Sequence, residues 1–384
     1  MNIFESFNTQ VDDLLQNICR KVQLTQTQYN LAEKRYKTVA EWLSEETSLL
    51  RYSRLSIYPQ GSLRIGTTVK PINQEEFDLD VICLLHIDHR QYEPGQILEI
   101  VANRLADDDT YKKMMSIESR CIRLNYSGDF HLDIVPACPT DLNNSEKTAI
   151  FIPDKDRKQW RYTDPKGYAT WFENQKAVRM DFIEAKNIEP LPPDFDDNNK
   201  VPLQYCVQLM KRYRDVAFSN EKEDIRPKSI VVTTLAAMAY HHEKSVNNTI
   251  TYILDEIITK IESARYRLIV KNPVNPSEDI SEAWSKNTIA YSAFCEWIYE
   301  FKRKWQKINA SSDMNVIAPL LRGMFGELAD TVIKEQAKRV SEARSTSKLG
   351  VSDRTATLRI GDYSKTSSTS AIGTGMTFNT FFGD

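Results

Sequence analysis

Three aspartates in apolar, β-prone runs are the side chains of this chain best suited to chemistry. Asp78 and Asp80 stand in the run 77–82, and Asp133 stands in the run 130–135. Side chains on a strand alternate between its two faces, so Asp78 and Asp80 project from the same face. Their like charges conflict unless a bound divalent cation relieves the repulsion. Because Mg²⁺ prefers one or two carboxylates together with substrate phosphate oxygens, the pattern predicts metal-assisted transfer of a nucleotidyl group.

The two-metal template gives each aspartate a role. Asp78 and Asp80 would bridge both ions, and Asp133 would complete the ion that activates an attacking ribose hydroxyl. We expect magnesium and a bound nucleoside triphosphate to balance the three carboxylates. We therefore expect no arginine or lysine of the chain to neutralise them already.

A glycine–serine pair upstream of these aspartates, Gly61-Ser62, suits the binding of a triphosphate. Glycine lets backbone N–H groups approach phosphate closely, and a hydroxyl and the start of a short helix add donors. Such pairs are also common in ordinary turns. The order along the chain favours phosphate binding, because the pair precedes a strand with Asp-x-Asp and a later strand carries a third aspartate.

Basic groups are also needed to match the charge of a triphosphate. The amphipathic run 209–214 offers Lys211 and two arginines, although Lys and Arg are also the ordinary content of a solvated helix face. Ser229 follows Arg226-Pro227-Lys228 at the start of the next helix, where it could simply be an N-cap.

Length and composition restrict the class of protein. A chain of 384 residues exceeds what one hydrophobic core usually serves, so we expect two lobes. The net charge of −3 does not suggest a protein that coats nucleic acid. No run of 18 apolar residues and no signal-like N-terminus occur, so we expect a soluble cytoplasmic protein without a membrane partner. Six scattered cysteines predict reduced thiols, not a zinc site.

Periodicity divides the chain into segments. Residues 1–50 have helical periodicity, whereas short β-rich runs and one helix alternate over 56–136. Ser127-Gly128 is a hairpin signal. Predicted helices are 96–105, 203–216, 229–241, 250–263, 288–307 and 317–344, and predicted strands are 77–85, 119–126 and 129–135. The composition predicts five parts: a helical brace (1–50), a catalytic core (51–186), a Pro-rich acidic linker (187–200), a helical lobe (201–345) and a mobile tail (346–384).

With these motifs in order, the chain resembles the DNA polymerase β-like nucleotidyltransferase superfamily, and within it the bacterial cGAS/DncV-like nucleotidyltransferases (CD-NTases). The likeness extends from the N-terminal helix to about residue 307. The stretches that support it, besides the aspartates, are 58–62, 203–204 with 209–215, 226–235, and 272–278 followed by Trp284.

The resemblance implies an α+β fold with a mixed-sheet catalytic core, a long N-terminal helix, a helical C-terminal lobe and a flexible C-terminal tail. It implies an enzyme that joins ATP, GTP or both into a cyclic di- or trinucleotide second messenger in CBASS anti-phage defence. Its cofactor would be two Mg²⁺ ions, for which Mn²⁺ could substitute. The residues it assigns are the metal ligands Asp78, Asp80 and Asp133 and the nucleotide-binding residues Gln60, Gly61, Ser62, Lys211 and Ser229.

The sequence departs from the family at two points. Ile230 stands where animal relatives have a stacking aromatic residue, so base stacking must come from elsewhere, for example from a tyrosine such as Tyr240 or Tyr205. The tail ends in Phe381-Phe382-Gly383-Asp384, which suggests a handle for a ubiquitin-transfer-like or other CBASS regulatory partner, with Asp384 removed or the tail acting only as a docking peptide. The absence of a histidine–cysteine cluster argues against activation by double-stranded DNA.

Two alternatives remain open from the sequence. The same fold could make a linear oligonucleotide or modify RNA or protein, although the lack of a broad basic surface argues weakly against a nucleic-acid substrate. The protein could instead be a catalytically silent partner-binding scaffold. Three intact, costly carboxylates argue against that alternative.

Overall fold

The computed structural model describes residues 3–45, 49–72, 76–128, 130–144, 146–176, 188–192, 200–345, 349–351 and 358–360. The helices of this part of the chain are α1 (Ile3–Val22), α2 (Gln26–Ser44), α3 (Gly61–Arg64), α4 (Pro94–Ala106), α5 (Asp109–Met114), α6 (Pro165–Gln175), α7 (Pro202–Ala217), α8 (Ser229–Met238), α9 (Val246–Ser263), α10 (Ala283–Lys286), α11 (Thr288–Asn309), α12 (Met314–Phe325) and α13 (Glu327–Ser345).

A seven-stranded mixed sheet forms the half of the molecule that carries the three aspartates. Its strands are β1 (Ser56–Pro59), β2 (Phe77–Leu84), β3 (Met115–Ile117), β4 (Ile122–Tyr126), β5 (Phe130–Pro139), β6 (Ile150–Asp154) and β7 (Gln159–Thr163). The order is β1-β2-β5-β4-β3, with β6 joining β5 to β7. Only β2 and β5 of these strands pair in parallel, because a helical crossover separates them in the chain. The predicted α+β class with a mixed sheet is confirmed.

Two large hydrophobic cores lie on either side of the site. One lies beneath the sheet, where alternate residues of β2 and β5 such as Leu79, Val81 and Leu132 pack with helices α2 and α4. The other fills the helical half, where Trp305, Phe301 and other large side chains of α11 pack against α7 and α9. The chemistry-bearing face of β2 and β5 is therefore opposite the first core and faces the second half.

The first two helices join different cores. α1 buries Leu15 and Ile18 in the core of the helical half, whereas α2 buries Tyr36 and Val39 against the sheet. The break between them is specified locally, because Thr25 caps α2 in a reciprocal capping box with Gln28. The segment 1–50 therefore contributes one helix to each half of the molecule.

Three further features were not predicted from the sequence. The predicted helix 317–344 is two helices, since Gly326 with a φ of +76° ends α12 before α13 begins. The hairpin β6–β7 and helix α6 had no clear periodic signal and were missed. Within the Pro-rich linker, Glu189 accepts hydrogen bonds from Arg64 and Lys166, at 2.6 and 2.5 Å.

The predicted mobile tail is described only in part. Its two short strands, Leu349–Val351 and Leu358–Ile360, pair antiparallel. The terminal residues 381–384 lie outside the described residues, so their role as a handle stays a prediction. No helix in the described part of the chain is both long enough and apolar enough to cross a membrane.

Candidate active site

The strand register brings the three aspartates to one face of the sheet. Asp80 on β2 pairs directly with Asp133 on β5, and Asp78 lies two residues before Asp80 on the same face. Asp78 is exposed, Asp80 is partly buried and Asp133 is buried. The arrangement predicted from alternation is therefore present in the backbone.

The surroundings of Asp80 disfavour its charged form. Burial is the largest cause, and the carboxylates of Asp133 and Asp78 add to it, so the pKa of Asp80 is raised to about 7. The pKa of Asp78 is also raised, by partial desolvation of its carboxylate in the cavity and by Asp133, while Arg123 opposes the shift. The like-charge conflict that the sequence predicts is therefore felt most strongly at Asp80.

Gly61 lies directly against Asp80. Its φ of +67° is a conformation that L side chains rarely adopt, and a Cβ built on it would be 2.5 Å from Asp80 Oδ2. The neighbouring backbone N–H of Gln60 donates to the Asp80 carbonyl at 2.9 Å. Glycine is therefore required here both by the backbone conformation and by the approach of the aspartate.

A cavity of about 580 Å³ opens over this face, between the sheet and the helical half. Its size is in the range of small-molecule sites, ~300–1,000 Å³. It brings together these residues predicted from the sequence: Gln60, Gly61, Ser62, Asp78, Asp80, Lys211 and Ser229. Asp133 is not among the residues that line it.

The carboxylate of Asp133 is bound by an arginine. Arg123 donates from Nε to Oδ1 and from Nη2 to Oδ2 of Asp133, both at 2.7 Å. The expectation that no basic side chain neutralises the aspartates is therefore wrong for Asp133. The physical reason is the register of the β4–β5 hairpin, in which Arg123 is the cross-strand partner of Asp133. Extending the Ser127-Gly128 hairpin signal by strand pairing would have found Arg123.

The donor chemistry of the three aspartates fits a hard divalent cation, because all are carboxylates on neighbouring strands. Among the residues that the structure describes, however, no group of three or more His, Cys, Asp or Glu side chains is arranged to hold a metal ion. The third carboxylate, that of Asp133, is held by Arg123. The residue types of the three aspartates suit such an ion.

One face of α7 fastens the segment that follows the glycine–serine pair. Gln204 Nε2 donates to the Ile65 carbonyl at 3.0 Å, and Gln208 Nε2 donates to the Thr68 carbonyl at 2.9 Å. Lys211 Nζ donates to the Thr67 carbonyl at 3.1 Å. The spacing of four and three residues places all three side chains on the same helix face. Lys211 is thus buried at the cavity wall and is not part of a solvated face.

We predict that Gln208→Ala lowers the melting temperature. Its loss leaves the Thr68 carbonyl without this donor in a buried place, which costs ~1–3 kcal/mol in free energy of unfolding. Calorimetry should show a fall of about 2–4 °C per kcal/mol. Gln306→Ala, at an exposed position of α11, controls for replacing a helical glutamine. Equal melting temperatures for the two variants would contradict the anchoring role.

Ser229 does not cap its helix. Lys228 occupies the N-cap position of α8, and Ser229 is the first helical residue. Its hydroxyl accepts a hydrogen bond from Arg214 Nη1, and Arg214 in turn pairs with Asp215. The N-cap interpretation is therefore wrong. Ser229 lies on the cavity wall, opposite the sheet, with its hydroxyl already oriented.

Tyr168 and Arg226 are cavity residues with useful chemistry that the sequence analysis did not assign to binding. Tyr168 on α6 lines it and shares a hydrogen bond of 2.9 Å with Thr234. Arg226 lines it too, and its buried Nε has no hydrogen-bond partner among the described residues. In contrast, Tyr205 and Tyr240 belong to the core of the helical half and are not among the cavity-lining residues. Among the described residues, the tyrosine that lines the cavity is Tyr168, which no periodic signal marked.

Comparisons with known proteins place the chain in a family. Residues 9–176 match the Second Messenger Oligonucleotide or Dinucleotide Synthetase domain. A c-di-GMP synthase of Roseivirga ehrenbergii is 34% identical over 342 residues, which are 88% of this chain and 90% of the relative. The cyclic dinucleotide synthase CdnG of Bradyrhizobium diazoefficiens is 23% identical over 361 residues, 88% of this chain and 85% of that protein.

The fold agrees with these relatives. The structure of Bradyrhizobium diazoefficiens CdnG in complex with GTP superimposes with a TM-score of 0.69 at 21% identity, covering 84% of this chain and 96% of that chain. The chain belongs to the cGAS/DncV-like nucleotidyltransferases (CD-NTases). It is a nucleotidyltransferase that synthesises a cyclic oligonucleotide, so the predicted family, fold and enzyme class are confirmed. The alternatives of a linear product, a macromolecular substrate or a silent scaffold are not favoured by these relatives.

Proposed function

We propose that this enzyme joins two molecules of GTP into cyclic di-GMP. The 34% identity to a c-di-GMP synthase along most of both chains supports this product, and the GTP complex of CdnG supports the substrate. The observation that carries the proposal is the juxtaposition of Asp78 and Asp80 with the Gly61 backbone at the floor of one cavity. Such a floor suits a triphosphate held beside a metal site.

We propose roles for the site residues as follows. Asp78, Asp80 and Asp133 would hold two Mg²⁺ ions, or Mn²⁺, and the ions would neutralise the triphosphate and activate the attacking hydroxyl. The side of the cavity nearest the sheet would bind the donor triphosphate through Gln60, Gly61 and Ser62. The opposite wall would contribute Lys211 and Ser229, which both line the cavity.

The chain's own groups prepare the site for this chemistry. Asp80 must lose its proton before it can be a ligand, and Lys211 lowers its pKa against the effects of burial and of the other aspartates. The open face at Gly61 lets backbone N–H groups approach phosphate without a side chain in the way. Arg226, with its unpartnered Nε, supplies a further donor for the charge that develops on the leaving pyrophosphate.

Incubation with radiolabelled nucleotides tests the proposal. With GTP alone and Mg²⁺ or Mn²⁺, we expect a product that resists phosphatase and migrates with cyclic di-GMP. ATP alone should give no such product, and adding ATP to GTP should not change its identity. A product that requires ATP would overturn the choice of substrate, and a labelled polymer or protein would overturn the cyclic product.

A cellular test addresses the proposed role in CBASS defence against phage. The gene should be expressed with its neighbouring genes and challenged with phage, beside an Asp78→Ala variant at equal protein level. We expect protection only with the unchanged enzyme. Equal protection by both would show that defence does not depend on nucleotide synthesis.

A further inference from the structure

The contact between Arg123 and Asp133 leaves no oxygen of that carboxylate without a charged donor. Each of the two oxygens accepts from a different nitrogen of the guanidinium at 2.7 Å. Such a bidentate, charge-assisted pair is among the stronger polar contacts of proteins, and burial of Asp133 reduces competition from water. A cation that took an oxygen of Asp133 would have to replace one of these bonds.

The guanidinium also lies towards the other aspartates. Arg123 Nη2 is 3.6 Å from Asp78 Oδ1, so one arginine holds Asp133 and reaches Asp78 at the same time. A positive charge in this place satisfies two carboxylates that would otherwise repel each other. The charge of the Arg123 guanidinium therefore lies where a divalent cation bound to Asp78 and Asp133 would place its own charge.

Arg123 has a path out of this position. Its side chain is one-third exposed, whereas that of Asp133 is only 11% exposed. Arg123 belongs to β4, whose partner on the far side from β5 is the three-residue strand β3. Because its side chain already contacts solvent, the Arg123 guanidinium can leave Asp133 for water. Asp133 stays in place, since it belongs to the central strand β5.

We propose that Arg123 is a positioning residue that occupies Asp133 until a divalent cation replaces it. Metal binding and release of the arginine are then one exchange, and the strength of the Arg123–Asp133 pair sets the metal affinity of the empty site. The inference rests on the proposed function, because it takes Asp133 as a metal ligand. It adds that, without metal, the Arg123 guanidinium balances the negative charge of Asp133.

Metal affinity of an Arg123→Met variant tests the exchange without measuring turnover. Binding of Mn²⁺ to the protein without nucleotide can be followed by the loss of the free-ion electron paramagnetic resonance signal. Because no arginine has to be displaced, we expect about tenfold tighter Mn²⁺ binding than in the unchanged protein. We also expect a lower melting temperature without metal and a larger rise when Mn²⁺ is added.

A matched control is available in Arg120→Met. Arg120 also pairs with a buried aspartate, Asp154, through Nε at 3.1 Å, but Asp154 ends strand β6 and is not one of the three proposed metal ligands. This variant should lose a similar ion pair and leave Mn²⁺ affinity unchanged. If Arg123→Met does not fold, Arg123→Lys serves instead, since an ammonium cannot hold both oxygens as a fork does. We expect its Mn²⁺ affinity to lie between those of Arg123→Met and the unchanged protein.

Unchanged or weaker Mn²⁺ binding in Arg123→Met and Arg123→Lys would overturn the exchange. An Asp133→Asn variant with unaltered affinity would overturn it too, because the metal would then be held by Asp78 and Asp80 alone. Failure of the proposed function is distinguishable, since it concerns the product made from GTP. A protein that makes no cyclic di-GMP can still show the change in Mn²⁺ affinity, and an active enzyme can fail to show it.

Discussion

Asp80→Asn is expected to abolish synthesis of the cyclic product while leaving the metal-free protein as stable as before or more stable. Loss of the carboxylate that we propose to hold both metal ions should lower kcat by roughly 10³-fold or more. Stability should not fall, because the amide removes one of three crowded carboxylates and keeps the shape of the side chain. Product formation and the melting temperature in chelator are the two measurements.

The pH dependence of the stability of Asp80→Asn tests whether the charge on Asp80 destabilises the unchanged protein. The pKa of Asp80 is raised from an ordinary value near 4 to about 7, so the folded protein holds a proton that the unfolded chain releases. That stabilisation is complete below about pH 4 and is lost as the pH rises through about 7. Asparagine cannot ionise, so the advantage of Asp80→Asn should grow between pH 5 and pH 8, to about 3 °C or more at pH 8.

Asp78→Asn is the matched control on the same strand. Asp78 is exposed and pairs loosely with Arg123, so its replacement should also stop synthesis but stabilise the protein less. A large fall in the melting temperature of Asp80→Asn at every pH would mean that the aspartate is a structural residue. The interpretation of the site as a metal centre would then lose its main support.

Gly61→Ala is expected to lower activity by about 100-fold, the cost of displacing a reacting group by about 1 Å. The added Cβ would lie 2.5 Å from Asp80 Oδ2, so the aspartate must move away from the proposed phosphate site. The alanine also has to adopt a φ of +67°, which lowers stability by ~1–2 kcal/mol. Steady-state kinetics and melting curves separate the two effects.

Gly128→Ala isolates the backbone effect. Gly128 has a φ of +82° at the β4–β5 turn, and a Cβ built there meets nothing within 4 Å. This variant should lose a similar amount of stability and keep most of its activity. If the two variants lost activity equally, the contact between Gly61 and Asp80 would not be the reason for the glycine.

Alternation and local turn signals were enough to predict the catalytic strands. Phe77–Leu84 and Phe130–Pro139 begin within one residue of their predicted starts, and the aspartates share a face as period-two spacing requires. The helices of the helical half were also predicted, because their apolar stripes are long and regular. The break at Gly326 was missed, since apolar spacing continues across it.

Contacts between strands and lobes could not be predicted in this way. Arg123 reaches Asp133 through a hairpin register, and Tyr168 reaches the cavity because α6 packs near α8. The sequence left Lys211 open between a phosphate-binding residue and a cation of a solvated helix face, and its helix position buries it against Thr67. Each of these depends on which elements become neighbours, and single-sequence periodicity does not contain that information.

The division of the first two helices between the cores has a consequence for biosynthesis. α1 packs against α7, α9 and α13, which follow it by roughly 180 to 320 residues, and Cys19 Sγ donates to the Tyr205 carbonyl across 186 positions. During translation the apolar face of α1 stays without these packing partners until nearly the whole polypeptide has left the ribosome. Nascent chains of this enzyme should therefore depend on holding chaperones, and prematurely terminated ones should aggregate.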